Sequence, residues 1–310
     1  MSIIDRILGR TEVTGPQITA TPSAAPVKPA AADALPQVSL SATAAPKPAA
    51  EPVIRVYDQF GRTVEVGRES WRKDVLLPNL AANRDKPDEL FNLIVGALND
   101  DFAADVLESA RHLAARDAQP PRADTLLGAV LLQLKDFAGA REVLQRALIQ
   151  FPKDVYLLSN LARAIAALGD EEGAKDLLWQ ALGLDPNEES TLNFLISLAH
   201  ARGGQEALLA AYTRAAGLPG SWRAQLWLAR YALERGDQAA AQQFYEEALS
   251  RANPPPPDLL MQMSGDLGNK GLIQLLVQLT QPRYSVAEHG LMVGNNLLRD
   301  RKSTRLNSSH

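Results

Sequence analysis

The middle of this chain repeats one pattern of small and apolar residues at a spacing of 34 residues. Seven positions recur in register, as the pairs Leu127 and Leu161, Gly128 and Ala162, Leu131 and Ile165, Ala140 and Ala174, Leu144 and Leu178, Ala147 and Ala181, and Pro152 and Pro186. A fixed period of this length indicates stacked copies of one supersecondary unit. Because each copy buries its apolar face only against its neighbours, the period constrains the fold more than any single residue does.

Each copy contains two amphipathic helices. In the first copy, Leu127 and Leu131 line one helical face, and Gly128 on that face is small enough to let a second helix approach closely. The second helix presents small and apolar residues at three- and four-residue steps, namely Ala140, Leu144 and Ala147. Pro152 follows and ends the unit, because proline cannot donate the hydrogen bond that a helix interior needs. The next copy repeats this arrangement, with its turn predicted at Gly169-Asp170.

This helix-turn-helix period resembles the tetratricopeptide repeat. The resemblance implies an all-α fold, a tetratricopeptide-like helical solenoid over residues 87–299, with its clearest repeats at 121–154 and 155–188. Residues 88–115, 189–218 and 222–251 are interpreted as more divergent copies, and a shorter helix pair follows them. The stretches 218–227 and 259–269 also resemble uncharacterised bacterial proteins of this family.

A short β-hairpin is predicted before the repeats, in a capping segment at 53–86. Residues 53–57 and 62–66 are rich in β-branched residues and flank a four-residue turn that ends in Gly61. A helix that starts at Glu69 or Ser70 and carries Trp71 is expected to stop near Pro78. Because an isolated hairpin is marginally stable in water, we expect it to pack on the first helices as a cap, with Trp71 as its anchor.

Residues 1–52 form a separate Pro/Ala-rich arm. Residues 15–52 contain eight prolines and no aromatic residue, so this stretch is predicted to be disordered. Before it, apolar and charged residues at positions 3–10 favour a short amphipathic segment. That segment is interpreted either as a frayed terminus or as a peptide that docks on a protein or a membrane surface.

The end of the chain has an unusual sequence. Residues 300–310 resemble the translation of a common short-read sequencing adapter. We therefore expect an artefact at 300–310, in a truncated fragment whose natural gene continues beyond Arg299. The alternative is an ordinary basic and polar tail.

Composition argues against several classes of function. The formal net charge of −4 does not favour nucleic acid as a partner, because nucleic-acid binding normally requires a basic patch. No apolar run approaches the length of a membrane-spanning helix, and the absence of cysteine excludes disulfides and thiolate metal sites. Neither a nucleophile elbow nor a phosphate-binding loop is present. We predict a cytoplasmic protein that is not an enzyme and has no cofactor, metal site or catalytic residue.

A partner-binding surface follows from the resemblance, since the first helix of each unit lines the concave groove in that family. The residues that transfer to this groove are Tyr156, Ser159, Asn160 and Arg163 in one copy, Asn193 and Ser197 in the next, and Arg223, Trp227 and Arg230 in the one after. Arg163 and Arg230 occupy equivalent places two units apart, where guanidinium groups suit the carboxylates of an extended acidic peptide. The lysine of the family's carboxylate clamp is missing, which argues against a C-terminal carboxylate as the ligand. The alternative is that these side chains are solvated, or that Trp227 packs between units.

Two functions are compatible with the sequence. The first is a protein-protein interaction scaffold that binds a peptide or protein partner on the concave face. The second is the non-catalytic repeat region of a longer enzyme, such as a transferase, whose catalytic domain lies beyond residue 299. The sequence predicts neither the oligomeric state nor the identity of the partner.

Overall fold

The computed structural model describes residues 53–57, 63–119 and 121–280, together with residue 294. The predicted arm at 1–52 and the predicted artefact at 300–310 lie outside the described residues. The described part begins with two antiparallel strands, β1 (Val53–Tyr57) and β2 (Thr63–Gly67). Val53 is opposite Gly67, and Tyr57 is opposite Thr63, which confirms the predicted hairpin.

The helix after the hairpin is longer than predicted. It comprises α1 (Arg68–Trp71), a π-helical turn (Arg72–Leu76) and α2 (Leu77–Ala82). The expected stop near Pro78 is therefore wrong. Pro78 lies in the first turn of α2, where the N–H that proline lacks is not required, and the π-helical turn precedes this restart of α-helical geometry.

Helix pairs follow this cap and continue to residue 280. Their helices are α3 (Pro87–Asn99), α4 (Ala103–Arg116), α5 (Arg122–Gln133), α6 (Phe137–Gln150), α7 (Val155–Ala167), α8 (Glu171–Leu184), α9 (Glu189–Ala216), α10 (Arg223–Glu234), α11 (Gln238–Arg251), α12 (Pro257–Asn269) and α13 (Ile273–Thr280). Helix α9 is broken at Gly203 and Gly204, so its two halves form one pair. We call α3, α5, α7, the first half of α9, α10 and α12 the first helices, and their successors the second helices.

The turn inside each pair has a common geometry. One residue there adopts a positive φ, between 61° and 96°, namely Asp101, Lys135, Gly169, Gly204, Gly236 or Gly271. In the clearest case Asp170 N then donates to Ile165 O at 2.9 Å, which satisfies a carbonyl at the end of the first helix. The carboxylate of Asp170 accepts from Gly173 N at 2.8 Å and caps the second helix. Asp136 and Asp237 cap α6 and α11 in the same way.

The two helices of a pair are closely packed at the small residues of the repeat. A Cβ atom on Gly128 would lie 2.6 Å from Leu144 Cδ2, so α6 can approach α5 only where glycine or a similarly small residue stands. In the following copy, Ala162 and Ala174 are completely buried. This confirms the all-α repeat fold predicted from the 34-residue period.

The hairpin and the following helix cover the first pair. Ile54, Leu76 and Leu80 belong to the same buried core as Leu90 and Ile94 of α3. Trp71 packs against this core and is partly buried. The segment is also tied to α4, because Arg72 Nε donates to Asp105 Oδ1 at 2.6 Å. The strands and helices at 53–82 therefore act as the predicted N-terminal cap of the repeats.

Candidate functional site

The first helices of successive units pack side by side, with α5 against α7 and α10 against α12. The predicted groove residues lie on three of these helices: α7, the first half of α9, and α10. Tyr156 and Ser197 are exposed, whereas Arg163, Asn193, Trp227 and Arg230 are partly exposed. The other three, Ser159, Asn160 and Arg223, are buried at 3%, 5% and 8% exposure, because neighbouring side chains and units cover them.

Arg223 connects three consecutive units. Its Nη1 donates to Glu189 Oε2 at 3.0 Å, and its Nη2 donates to Asp258 Oδ2 at 2.7 Å. Its Nε donates to the carbonyl of Asn187 at 2.8 Å. Two carboxylates and a carbonyl from adjacent units therefore hold this cation inside the solenoid, where it stabilises their stacking.

The loop before α9 reinforces the same junction. Asn187 Oδ1 accepts from the backbone N–H groups of Trp222 and Arg223, at 2.8 and 3.0 Å. Asn187 Nδ2 donates to Gly220 O at 2.9 Å. Asn187 thus caps the N-terminus of the next unit's first helix, which satisfies backbone donors that have no partner within that helix.

Arg230 forms a second inter-unit junction. Its Nε donates to Asp266 Oδ2 at 2.7 Å, and its Nη2 donates to Gln262 Oε1 at 2.8 Å. Tyr245 Oη donates to the same Asp266 oxygen at 3.3 Å. Burial raises the pKa of Asp266 above its ordinary value, and the positive charge of Arg230 opposes that rise. Burial also raises the pKa of Tyr245, so its hydroxyl stays protonated and can donate.

Arg163 has a different environment from the other two arginines. Its Nη1 donates to Ser159 Oγ at 3.0 Å, and its Nη2 donates to Ser190 Oγ at 2.5 Å. Its guanidinium lies over the ring of Phe194, 5.3 Å from the centroid. Ser190 and Phe194 both belong to the next first helix, so Arg163 is held at a defined position between two units.

Trp227 packs between units. Its ring stacks on Tyr212 of the preceding second helix at 5.8 Å, with 25° between the planes. The Arg230 guanidinium also lies over the Trp227 ring, 4.7 Å from its centroid. These contacts agree with the alternative interpretation, in which Trp227 packs between units.

Sequence reasoning missed the internal role of the arginines. Their partners Glu189, Asp258 and Asp266 lie between 34 and 36 residues away along the chain. A separation of one repeat between opposite charges was therefore the signal available in the sequence. It predicts proximity, because equivalent positions of adjacent units lie side by side in a solenoid.

The described residues provide neither a cluster of metal ligands nor a membrane-spanning helix. No group of three or more His, Asp or Glu side chains there is arranged to hold a metal ion. None of the helices described has the length and apolar character needed to cross a membrane.

Comparison with known proteins agrees with the helical repeat. A family model described as tetratricopeptide repeat matches residues 131–192, and a second with the same description matches 103–155 and 195–256. No curated protein matches the chain.

Solved structures of similar fold include PilW, a widely conserved type IV pilus biogenesis factor, at 16% identity over 67% of this chain and 98% of that chain, with a TM-score of 0.37. PilF of Pseudomonas aeruginosa is 14% identical over 70% of this chain and 99% of that chain, with a TM-score of 0.39. MamA is 19% identical over 58% of this chain and 97% of that chain, with a TM-score of 0.29. Likeness at this level carries no information about partners.

Proposed function

Because the chain belongs to the tetratricopeptide repeat family, we propose that it is a non-catalytic scaffold that binds a protein or an extended peptide along its first helices. Tetratricopeptide repeats generally mediate protein-protein interaction, and a stack of them offers a long surface for that purpose. The binding residues in this proposal are Tyr156, Arg163, Asn193, Ser197, Trp227 and Arg230, which keep some exposure. Ser159 and Asn160 accept hydrogen bonds from Arg163, whereas Arg223 is buried between units.

The observation that carries this proposal is the position of Arg163. Its guanidinium is partly exposed, and two serine hydroxyls and the Phe194 ring hold it in place. A carboxylate of a partner can replace one serine hydroxyl as the acceptor of the hydrogen bond from Arg163. The bond to the carboxylate is the stronger of the two because both groups are charged. Because the guanidinium is already oriented, little side-chain entropy is lost on binding. The proposed partner is accordingly a protein or extended peptide with an acidic side chain, and we propose a cytoplasmic location for the complex.

Site-specific crosslinking tests whether the partner binds along the first helices or along the second helices. A photoreactive benzoylphenylalanine replaces Ser197 on a first helix or Gln243 on the second helix α11, both of which are exposed. Each full-length variant is irradiated in an extract of the source cells, and the adducts are identified by mass spectrometry. We expect a discrete protein adduct at Ser197 and none at Gln243. Equal labelling at the two positions contradicts binding along the first helices.

Substitution of Arg163 tests the role of its charge. Arg163→Gln keeps an amide donor and removes the charge, and the matched control is Arg146→Gln at an exposed position of α6. Loss of a hydrogen bond to a charged group costs about 1.5–3 kcal/mol, so the adduct yield should fall roughly tenfold or more. A yield that falls equally in the control variant, or in neither variant, contradicts the proposal.

A further inference from the structure

A cleft of about 460 Å³ opens between the second helices α6 and α8, and its lining includes none of the proposed binding residues. Its walls come from α6 and α8, and its apolar floor comes from Leu161 and Ile165 of α7, from Leu168 directly after that helix, and from Leu177. Leu168 is 46% exposed and adds accessible apolar surface to this floor. Pockets that bind small ligands have volumes of about 300–1,000 Å³, so the cleft is large enough to receive a side chain of another molecule.

We call the contact between successive second helices a joint. The next joint along the chain, between α8 and the second half of α9, is filled by side chains of the protein itself. Gln145 and Gln180 line the cleft, and the residues 34 positions after them are Trp179 and Arg214. Trp179 packs against the core shared by α8 and α9, and the Arg214 guanidinium lies 3.8 Å from the centroid of the Trp179 ring. A stacked aromatic ring and guanidinium therefore occupy the positions that two glutamines leave open one unit earlier.

The following joint also receives an aromatic ring. Phe244 stands 67 positions after Leu177, at the equivalent place two units along, just as the cap residue Asp237 stands 67 positions after Asp170. Its side chain packs against both of the cores that meet at this joint. Aromatic side chains thus pack in the two following joints, whereas the lining between α6 and α8 contains no aromatic residue and has Leu177 at the place of Phe244.

The charged side chains at the rim of the cleft favour a partner that has a basic residue next to the side chain entering the cleft. Asp170 and Asp176 contribute two carboxylates to the lining, against the single guanidinium of Arg141. Asp176 is exposed on α8, where a cation above the cleft can approach it. In the filled joint the cation is Arg214, which lies over the ring of Trp179. An aromatic residue next to an arginine therefore matches both the apolar floor and the acidic rim.

We propose that this cleft is a second docking site, which receives an aromatic side chain adjacent to an arginine or lysine on a partner polypeptide. The partner's aromatic ring packs on the apolar floor of the cleft, as the Trp179 ring packs on its core one unit later. The partner's cation pairs with Asp176. The cleft shares floor residues of α7 with the row of first helices but none of the proposed binding residues, so its failure would leave the proposed binding along those helices untouched.

Methyl NMR of the full-length chain tests the docking site. The probe is the peptide acetyl-Gly-Ser-Gly-Trp-Arg-Gly-Ser-Gly-amide, and the control peptide has alanine in place of tryptophan. We expect saturable shifts of the Ile165 and Leu168 methyl signals with the probe, at least fivefold smaller shifts with the control, and no shift of the remote Leu260. Equal shifts with both peptides, or no shift at millimolar peptide, would overturn the proposal.

Two kinds of variant make the test specific. The double variant Gln145→Trp, Gln180→Arg copies the filled joint and should abolish the probe-induced shifts, whereas Gln243→Trp on an exposed face of α11 should leave them unchanged. Asp176→Lys, which changes only an exposed side chain, should weaken binding of the probe peptide at least threefold. Retention of the parent affinity by Asp176→Lys or by the filled variant would overturn the proposal. Shifts that depend on protein concentration without peptide would show that a second copy of the chain occupies the cleft, and would overturn it as well.

Discussion

The guanidinium Nη1 of Arg223 lies 3.0 Å from Oε2 of Glu189, and these side chains are only 9% and 7% exposed. The two residues are separated by 34 positions, which is one repeat. Arg223 was predicted to face a partner in the groove, but its ion pairs join neighbouring units. The contacts between units thus use part of the surface that the family resemblance assigns to binding.

Removal of the Arg223 cation should destabilise the fold. Arg223→Met leaves the buried carboxylate of Glu189 without this counter-ion, and breaking a buried pair in this way costs about 3–5 kcal/mol. The matched control is Arg202→Met, since Arg202 pairs with Glu172 at the surface, where the side chains are 62% and 68% exposed. A surface pair contributes about 1 kcal/mol or less. Urea unfolding followed by circular dichroism measures both, and equal losses would contradict a structural role for Arg223.

Asp266 should make stability depend on pH in a predictable direction. Burial raises its pKa above the ordinary value of 3.8, so the folded protein binds this proton more tightly than the unfolded chain does. The stabilising contribution is complete below the ordinary pKa and is lost as the pH rises through the raised pKa. We expect the free energy of unfolding of the parent, relative to Asp266→Asn, to decrease as the pH rises above 3.8.

The reference for this titration is Glu246→Gln, a neutralised carboxylate at an exposed position of α11. Thermal unfolding of the three proteins over a series of buffers gives the differences. If the parent gains stability relative to Asp266→Asn over the same pH window, then the ion pair with Arg230 outweighs burial and the stated direction of the pKa shift is wrong.

Ala162 should not tolerate a larger side chain. It is completely buried where α7 contacts α8, and overpacking such a site costs about 1–3 kcal/mol. We expect Ala162→Leu to lower the free energy of unfolding by this amount, whereas Ala167→Leu, at an exposed position of the same helix, has little effect. Chemical denaturation distinguishes the two. A variant at position 162 as stable as the parent would show that the helices of this pair are packed differently.

The cap of α8 should have a measurable effect on stability. Asp170 Oδ1 accepts from Gly173 N at 2.8 Å, and loss of a capping carboxylate costs about 0.5–2 kcal/mol. Asp170→Ala should therefore unfold at a lower urea concentration than Asp176→Ala, which removes an exposed carboxylate from the interior of the same helix. The urea midpoints of the two variants are the readout. Coincident midpoints would exclude a contribution from the cap.

The helices and their pairing were accessible from sequence because the interactions responsible are close in the chain. Gly128 and Leu144 belong to one helix pair, and their contact follows from residue size and the 34-residue period. The turn at Gly169 and Asp170 follows from glycine's tolerance of a positive φ and aspartate's preference for helix N-termini. Pro78 was misjudged because a π-helical turn precedes it, and the residues around it carry no recognisable signal for that turn.

By itself, the sequence determined that this protein is a stack of helix pairs with a hairpin at its start, since periodicity, small residues and turn residues act over short separations. The tertiary structure alone decided which polar side chains are buried between units. Arg223 and Arg230 bond to carboxylates one repeat away, whereas Arg163 bonds to serine hydroxyls, although all three lie on first helices. The reason is geometric: stacking places equivalent positions of adjacent units side by side, so the environment of a charge depends on the neighbouring unit.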